Sequence, residues 1–231
     1  MTERPLKLLS SMAARELLAE LVARFQREGG RAVHADAAGG VDVARRIAGG
    51  EPCDVVVLAA NAIDQLGTAG AVLAGSRTDL VRSGVAIAVR ADAPRPGIAT
   101  PADVKAAVLA AASLSYSTGP SGVYLEKLFG QWGILGQIRP RIVVPPPGVP
   151  VGALVADGRA ALGFQQLSEL MSLPGIAVLG PLPAAIQTVT VFSGGICAAS
   201  TEAPAARALL DFLASPAVAA EKLRYGMEPA A

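Results

Sequence analysis

The chain has 231 residues, of which 52% are hydrophobic and 4% aromatic, and its formal net charge is +1. This length fits one large domain or two small ones, and the near-zero charge excludes a general nucleic-acid binder, whose affinity depends on clustered Lys and Arg. One histidine and two cysteines exclude most zinc sites, and no run of about 18 uncharged apolar residues is present to span a membrane, so we expect no metal, no cofactor and no membrane span.

The N-terminal segment predicts structure from the first residues onward. Leu6 to Leu9 predicts a strand, and the apolar side chains that follow Ser10 and Ser11 recur at helical spacing. A basic and then apolar leader is absent from this segment, so we expect a cytoplasmic protein, or a periplasmic one if a leader has been trimmed. Cys53 and Cys197 lie in apolar runs and predict buried free thiols.

Strand and helix patterns alternate along the first 70 residues. Strands are predicted at 6–9, 31–37 and 54–58, and helices at 13–27, 41–47 and 61–66. Repeated β-α alternation is typical of a parallel α/β sheet.

The pattern changes in the second part of the chain. Strands are predicted at 84–89, 114–116, 142–144, 161–164 and 188–192; helices are predicted from Thr100-Pro101 onward, after Gly122 through Trp132, and at 151–156, 204–213 and 216–223. If the strands near 83–90 and 187–193 both cross between lobes, lobe 1 comprises 1–82 plus 194–231 and lobe 2 comprises 83–193. We therefore expect an α/β protein with two lobes, a ligand cleft between them and a hinge.

Ligands of open α/β sheets bind beyond the carboxyl ends of strands, where helix N-termini present free N–H groups to anions. Ser10 and Ser11 follow the first strand, and Gly39 follows the second. The segment from Tyr116 to Gly122 combines hydroxyl donors, glycines and a helix start. The alternative for each segment is a capped turn without a ligand.

We expect the ligand contacts to lie at these strand ends. They are Ser10, Ser11, Gly39, Tyr116, Ser117, Gly119, Ser121 and Gln165. Tyr116 is suited to forming a wall, donating a hydrogen bond or carrying a proton, and the amide of Gln165 can bond an anion or a carboxylate. A phosphate-binding Walker loop, a Gly-x-Ser-x-Gly elbow and a His-Glu-x-x-His motif are all absent from the sequence, so no catalytic residue is assigned.

The chain resembles the molybdate-binding proteins of ABC transporters, which have the type II periplasmic binding-protein fold. The resemblance is carried by Leu8-Leu9-Ser10-Ser11-Met12, by Asp54 to Val57, by the Pro-x-Gly-x-Tyr turn at Pro120 to Tyr124, and by the late segment Gly158 to Gln165. It implies that Ser11, Gly39, Ser121 and Val151 hold an oxyanion through hydroxyls and backbone N–H groups, with Gln165 at the last wall position. It also implies an ABC permease as partner if the protein is exported.

The sequence leaves two main functions open and a third, weaker one. The first is binding of a small anion, a molybdate-like oxyanion or a small carboxylate, in the manner of a solute-binding protein. The second is that of a cytosolic isomerase of a small unsaturated polycarboxylate. It is implied by a resemblance to enzymes related to this group, such as aconitate isomerase. The third is a ligand sensor that passes closure to a partner protein.

Overall fold

The computed structural model describes residues 4–146 and 148–230. They divide into two units, the first formed by the residues up to Ser83 with those from Val191 onward, and the second by Gly84 to Thr190. Among the described residues, no helix combines the length and the apolar character needed to cross a bilayer.

Helices and strands alternate strictly as far as Gln131, where two more helices follow, and two helices also follow one another near the C-terminus. The first part contains β1 (Leu6–Ser11), α1 (Arg15–Arg27), β2 (Val33–Ala38), α2 (Gly40–Ala48), β3 (Val55–Ala59), α3 (Ala60–Thr68) and β4 (Thr78–Arg90). The middle contains α4 (Pro101–Ala110), β5 (Leu114–Tyr116), α5 (Pro120–Gln131), α6 (Leu135–Ile138), α7 (Val151–Ala156), β6 (Leu162–Gln166), α8 (Leu167–Leu170) and β7 (Ile176–Pro181). The last part contains β8 (Val189–Ile196), α9 (Ala203–Ala214), α10 (Ala219–Arg224) and β9 (Glu228–Pro229).

The sheet of the first unit is built on β1, which pairs in parallel with β2 on one side and β3 on the other. Strand β3 is buried along its full length, because helices cover both faces of the sheet. On one face α1 buries an apolar stripe that includes Leu17, Leu21 and Phe25, together with α9. On the other face α2 and α3 bury Val43 and Ile63.

The second unit has its own sheet and core. Strands β5 and β6 pair in parallel, and β4 pairs antiparallel with both β6 and β7. Phe129 of α5 contacts Phe164 of β6 edge to face, with ring centroids 5.9 Å apart. Helix α4 begins as Thr100-Pro101 predicts: the Thr100 hydroxyl accepts from the Asp103 N–H, and the Asp103 carboxylate accepts from the Thr100 N–H.

The structure differs from the predicted strands at two places. The segment 142–144 is not a strand; it makes one isolated bridge, between Ile142 and Leu114, and then enters a proline-rich stretch whose residues lack N–H donors. Strand β7 was not predicted, since its side chains are only partly buried and alternation is weak. The parallel pairing predicted for the first 70 residues is confirmed, since β1 is parallel to both β2 and β3, and β8 then runs antiparallel beside β3. The predicted free thiols are confirmed, since Cys53 and Cys197 are both buried and neither forms a disulfide.

Candidate functional site

The carboxyl ends of three parallel strands meet at one edge of the first unit. Ser11, the last residue of β1, lies opposite Ala38, the last residue of β2. Ser10 lies opposite both Ala37 and Val57 and is buried. The structure therefore brings Ser10, Ser11 and the Gly39 that follows β2 together, and we call this group, with Gly40, the Ser11 edge.

Two helices begin at the Ser11 edge without a side-chain cap. The N-cap residue of α2 is Gly39 and that of α3 is Ala59, and neither provides a side-chain hydrogen bond to the first turn. Helix α4, by contrast, has the full capping box described above. Since the first N–H groups of a helix have no partner within it, α2 and α3 offer free donors and the positive ends of their dipoles at this edge.

The hydroxyl of Ser11 is the observation that singles out this edge. Ser11 is 7% exposed, and its Oγ is the buried side-chain polar atom that has no hydrogen-bond partner among the described residues. A buried hydroxyl left without a partner costs roughly 1 to 3 kcal/mol, so natural proteins seldom retain one that no ligand or water satisfies. Ser11 Oγ is therefore poised as a donor to a ligand.

The loop at the start of α2 leaves the Ser11 edge open. A Cβ added to Gly39 would have no heavy atom within 4 Å, and one added to Gly40 would sit 3.6 Å from the Ser11 Cβ. The absence of these side chains keeps space in front of the serine. Gly40 was not among the predicted contacts; the signal for it was present in the paired glycines after β2.

A second group of donors lies in the second unit, at the carboxyl end of β5. We call residues 117–122 the Ser117 turn. Ser117 Oγ and Ser121 Oγ are 2.8 Å apart, and the N-cap of α5, Gly119, provides no side-chain cap. A Cβ on Gly122 would overlap the carbonyl oxygen of Ser117, so only glycine permits this close turn.

Gln165 and Val151 lie at the neighbouring strand end. Tyr116 pairs with Phe164, which places Gln165 one residue beyond it on β6. The Gln165 amide is held at both ends: its Oε1 accepts from the Gly152 N–H at 3.2 Å, and its Nε2 donates to Glu169 at 2.8 Å. Gln165 therefore fixes the start of α7, whose first residue is Val151. Glu169 was missed from the sequence, because nothing local marks it as a partner of Gln165.

Tyr116 closes the side of the Ser117 turn. Its ring packs on Phe129, with centroids 6.0 Å apart. Burial raises the pKa of the Tyr116 hydroxyl, and the charge of Glu126 raises it further while Arg139 opposes it. The hydroxyl therefore stays protonated at neutral pH and is suited to donating a hydrogen bond.

Comparisons with known proteins show the family of the chain. Residues 6–228 match the family model described as bacterial extracellular solute-binding protein. The chain is 40% identical over 190 residues to an aconitate isomerase of a Pseudomonas species, a match that covers 81% of this chain and 71% of that protein.

Solved structures are similar over nearly the whole chain. The periplasmic molybdate-binding protein of Azotobacter vinelandii has a TM-score of 0.80 at 22% identity, covering 96% of this chain and 98% of that one. The sulfate-binding protein SubI of Mycobacterium tuberculosis has a TM-score of 0.77 at 17% identity, covering 99% and 88%. These likenesses confirm the expected fold, that of the two-lobed periplasmic binding proteins.

Proposed function

Since this chain belongs to the family of bacterial extracellular solute-binding proteins, we propose that it binds a small organic anion that carries carboxylates. The observation that carries the proposal is Ser11 Oγ, a buried hydroxyl without a partner among the described residues, located where α2 and α3 begin. The Ser117 turn provides the same kind of donors in the second unit.

Uncharged donors are well suited to such a ligand. A carboxylate accepts hydrogen bonds from hydroxyls and backbone N–H groups, and bonds to a charged group contribute about 1.5 to 3 kcal/mol each. The positive ends of helix dipoles add to this attraction without a lysine or arginine side chain. The Ser11 edge combines these two kinds of donor within one unit.

A carboxylate is favoured over a metal oxyanion by the sequence relatives. The relative named aconitate isomerase is 40% identical, whereas the molybdate-binding and sulfate-binding structures are at most 22% identical. The higher identity supports a polycarboxylate as the ligand class.

The same relative favours a second candidate function, isomerisation of a small unsaturated polycarboxylate. Such a reaction shifts a proton between two carbons while the double bond moves the other way, so it needs a proton carrier and donors that stabilise enolate-like charge. Tyr116, the N–H groups of the Ser117 turn and Gln165 are the groups we propose for these roles. The residue that removes the proton is left unassigned.

A thermal-shift panel tests the binding proposal. Molybdate, tungstate, sulfate, phosphate, citrate and the two aconitate isomers are each added to the protein, and a bound ligand stabilises by about 2.7 kcal/mol at a hundred times its dissociation constant. We expect the carboxylates to raise Tm. A rise with molybdate or tungstate alone would overturn the choice of ligand class.

Two serine variants sharpen that panel. Ser11→Ala removes a buried hydroxyl without a partner among the described residues, so it should raise the Tm of the free protein or leave it unchanged, and it should reduce the ligand-induced rise. Ser115→Ala is the matched control, because the buried Ser115 hydroxyl donates to the Val143 carbonyl at 2.7 Å. It should lower the Tm of the free protein and keep the ligand-induced rise.

An NMR time course separates binding from catalysis. The protein is mixed with cis-aconitate in one sample and trans-aconitate in another, and the isomers are followed by their vinyl proton signals. Appearance of the other isomer in both samples supports the isomerase. Stabilisation by aconitate without interconversion supports binding alone.

Compartment and partner follow from which function holds. Under the binding function we propose a location outside the cytoplasm and an ABC permease as partner, in line with the family description. Under the isomerase function we propose the cytoplasm. Fractionation of cells that express the native gene distinguishes the two locations.

A further inference from the structure

A cavity of about 390 Å³ opens beside the Ser117 turn, within the second unit. Its lining includes Val123 of α5, together with Ile142 and Val144 of the segment after α6. Ser117 and Thr118 of the turn also line it. The volume lies within the range of about 300 to 1,000 Å³ that is usual for small-molecule sites.

Three polar side chains line this cavity, and among the described residues their polar groups are not held by hydrogen bonds. The carboxylate of Glu126 and the guanidinium of Arg139 are 3.8 Å apart, beyond hydrogen-bond distance, and both side chains are more than half exposed. The hydroxyl of Tyr116, which also lines the cavity, makes no hydrogen bond within the described part of the chain. The guanidinium is thus in a long ion pair with Glu126 and not hydrogen-bonded to it, and its N–H donors can form a bidentate pair with an incoming carboxylate.

We propose that this cavity binds the second carboxylate of a ligand whose first carboxylate is held by the Ser117 turn, with Arg139 as the residue that selects polycarboxylates. The inference rests on the proposed function of binding a carboxylate anion. Arg139 pairs with the distal carboxylate, the Tyr116 hydroxyl donates to it, and Val123 with Ile142 contacts the carbon skeleton.

The size and polarity of the cavity fit an organic ligand better than a tetrahedral oxyanion. A four-oxygen anion on the Ser117 turn leaves the cavity and its apolar wall unused. A carbon chain that bears a second carboxylate fills that wall and reaches Arg139. The negative charge of Glu126 repels the distal carboxylate, so Glu126 lowers the affinity for the ligand.

The test measures the affinity of polycarboxylates relative to a monocarboxylate. Tricarballylate and glutarate are titrated by calorimetry, and butyrate is measured by ligand-observed NMR, against the wild-type protein, Arg139→Gln and Glu126→Gln. Arg159→Gln is the matched control, because Arg159 is another exposed arginine of the second unit and lies outside the cavity.

We expect Arg139→Gln to weaken tricarballylate by about tenfold or more and to leave butyrate unchanged, whereas Arg159→Gln changes neither. Glu126→Gln should strengthen tricarballylate, an opposite sign that a purely structural role would not produce. An unchanged ratio of tricarballylate to butyrate affinity in Arg139→Gln overturns the cavity proposal alone. Absence of binding by every carboxylate in the wild type overturns the proposed function as well.

Discussion

Gly40, the first residue of α2, lies against Ser11: a Cβ placed on it would sit 3.6 Å from the Cβ of the serine. That distance is an ordinary van der Waals contact, so the fold accepts a Cβ at this position and the added side chain would lie against the serine. A substitution at Gly40 can therefore change ligand binding at Ser11 without a large change in the stability of the fold.

The first prediction concerns Gly40→Val. Its methyl groups cover Ser11 Oγ, so the ligand-induced rise in Tm should be lost while the Tm of the free protein changes by only a few degrees. Gly67→Val in α3 is the control, because a Cβ there meets nothing within 4 Å and the site lies elsewhere. Retention of the full ligand-induced rise in Gly40→Val would show that Ser11 does not contact the ligand.

The second prediction uses two glycines of α5. Gly122→Ala places a methyl group against the Ser117 carbonyl, so the Ser117 turn cannot close; unfolding free energy should fall by about 2 kcal/mol or more and binding should be lost. Gly130→Ala meets no atom within 4 Å on the same helix and should stabilise by about 0.5 to 1 kcal/mol. Urea unfolding measures both. Equal stabilities would contradict the geometry of the turn.

The third prediction concerns charge at the Ser117 turn. Ser121→Asp introduces a carboxylate beside the proposed anion, so like-charge repulsion should abolish binding. Ser121→Asn introduces a side chain of nearly the same size as Asp but without charge, and this variant should retain a measurable part of the affinity. Equal affinities of the two variants would remove this turn from the binding site.

The fourth prediction concerns Asp54, which lies just before β3. Burial disfavours its charge, but hydrogen bonds from Arg4 and Ser200 outweigh that effect and lower the pKa of the carboxyl from 3.8 to about 2. A carboxyl with a lowered pKa stabilises the fold above its ordinary pKa, and this stability is lost as the pH falls from about 4 to about 2.

Asp54→Asn tests this pH dependence. It should lower the free energy of unfolding at pH 7 by about 1 to 2 kcal/mol, with a difference from wild type that shrinks as the pH approaches 2. Asp211→Asn, at an exposed position of α9, should have little effect at either pH. A constant difference between Asp54→Asn and wild type over this pH range would contradict the assignment.

Much of the fold follows from local patterns. Strand β3 and helix α1 were predicted because burial on both faces of a strand leaves a continuous apolar run, and burial on one face of a helix leaves a helical period. Strand β7 and the segment 142–144 were not predicted correctly. Partial burial of β7 hides its alternation, and the apolar run at 142–144 gains only one bridge to its neighbour.

The candidate site was predictable where it lies at a strand end. Ser11 and the Ser117 turn were found because strands end there and helices begin. The bonds that hold the Gln165 amide to Glu169 and Gly152 depend on tertiary packing, which no spacing in the sequence reveals. The same is true of the cavity beside Arg139, whose lining residues lie in two segments, 116–126 and 139–144, that only the folded chain brings together.

A calorimetric titration of the wild-type protein with trans-aconitate tests the central claim most directly. The account predicts saturable binding of one carboxylate ligand per chain, with molybdate producing no saturable heat. Saturable binding of molybdate together with no heat from trans-aconitate or any other polycarboxylate would contradict it.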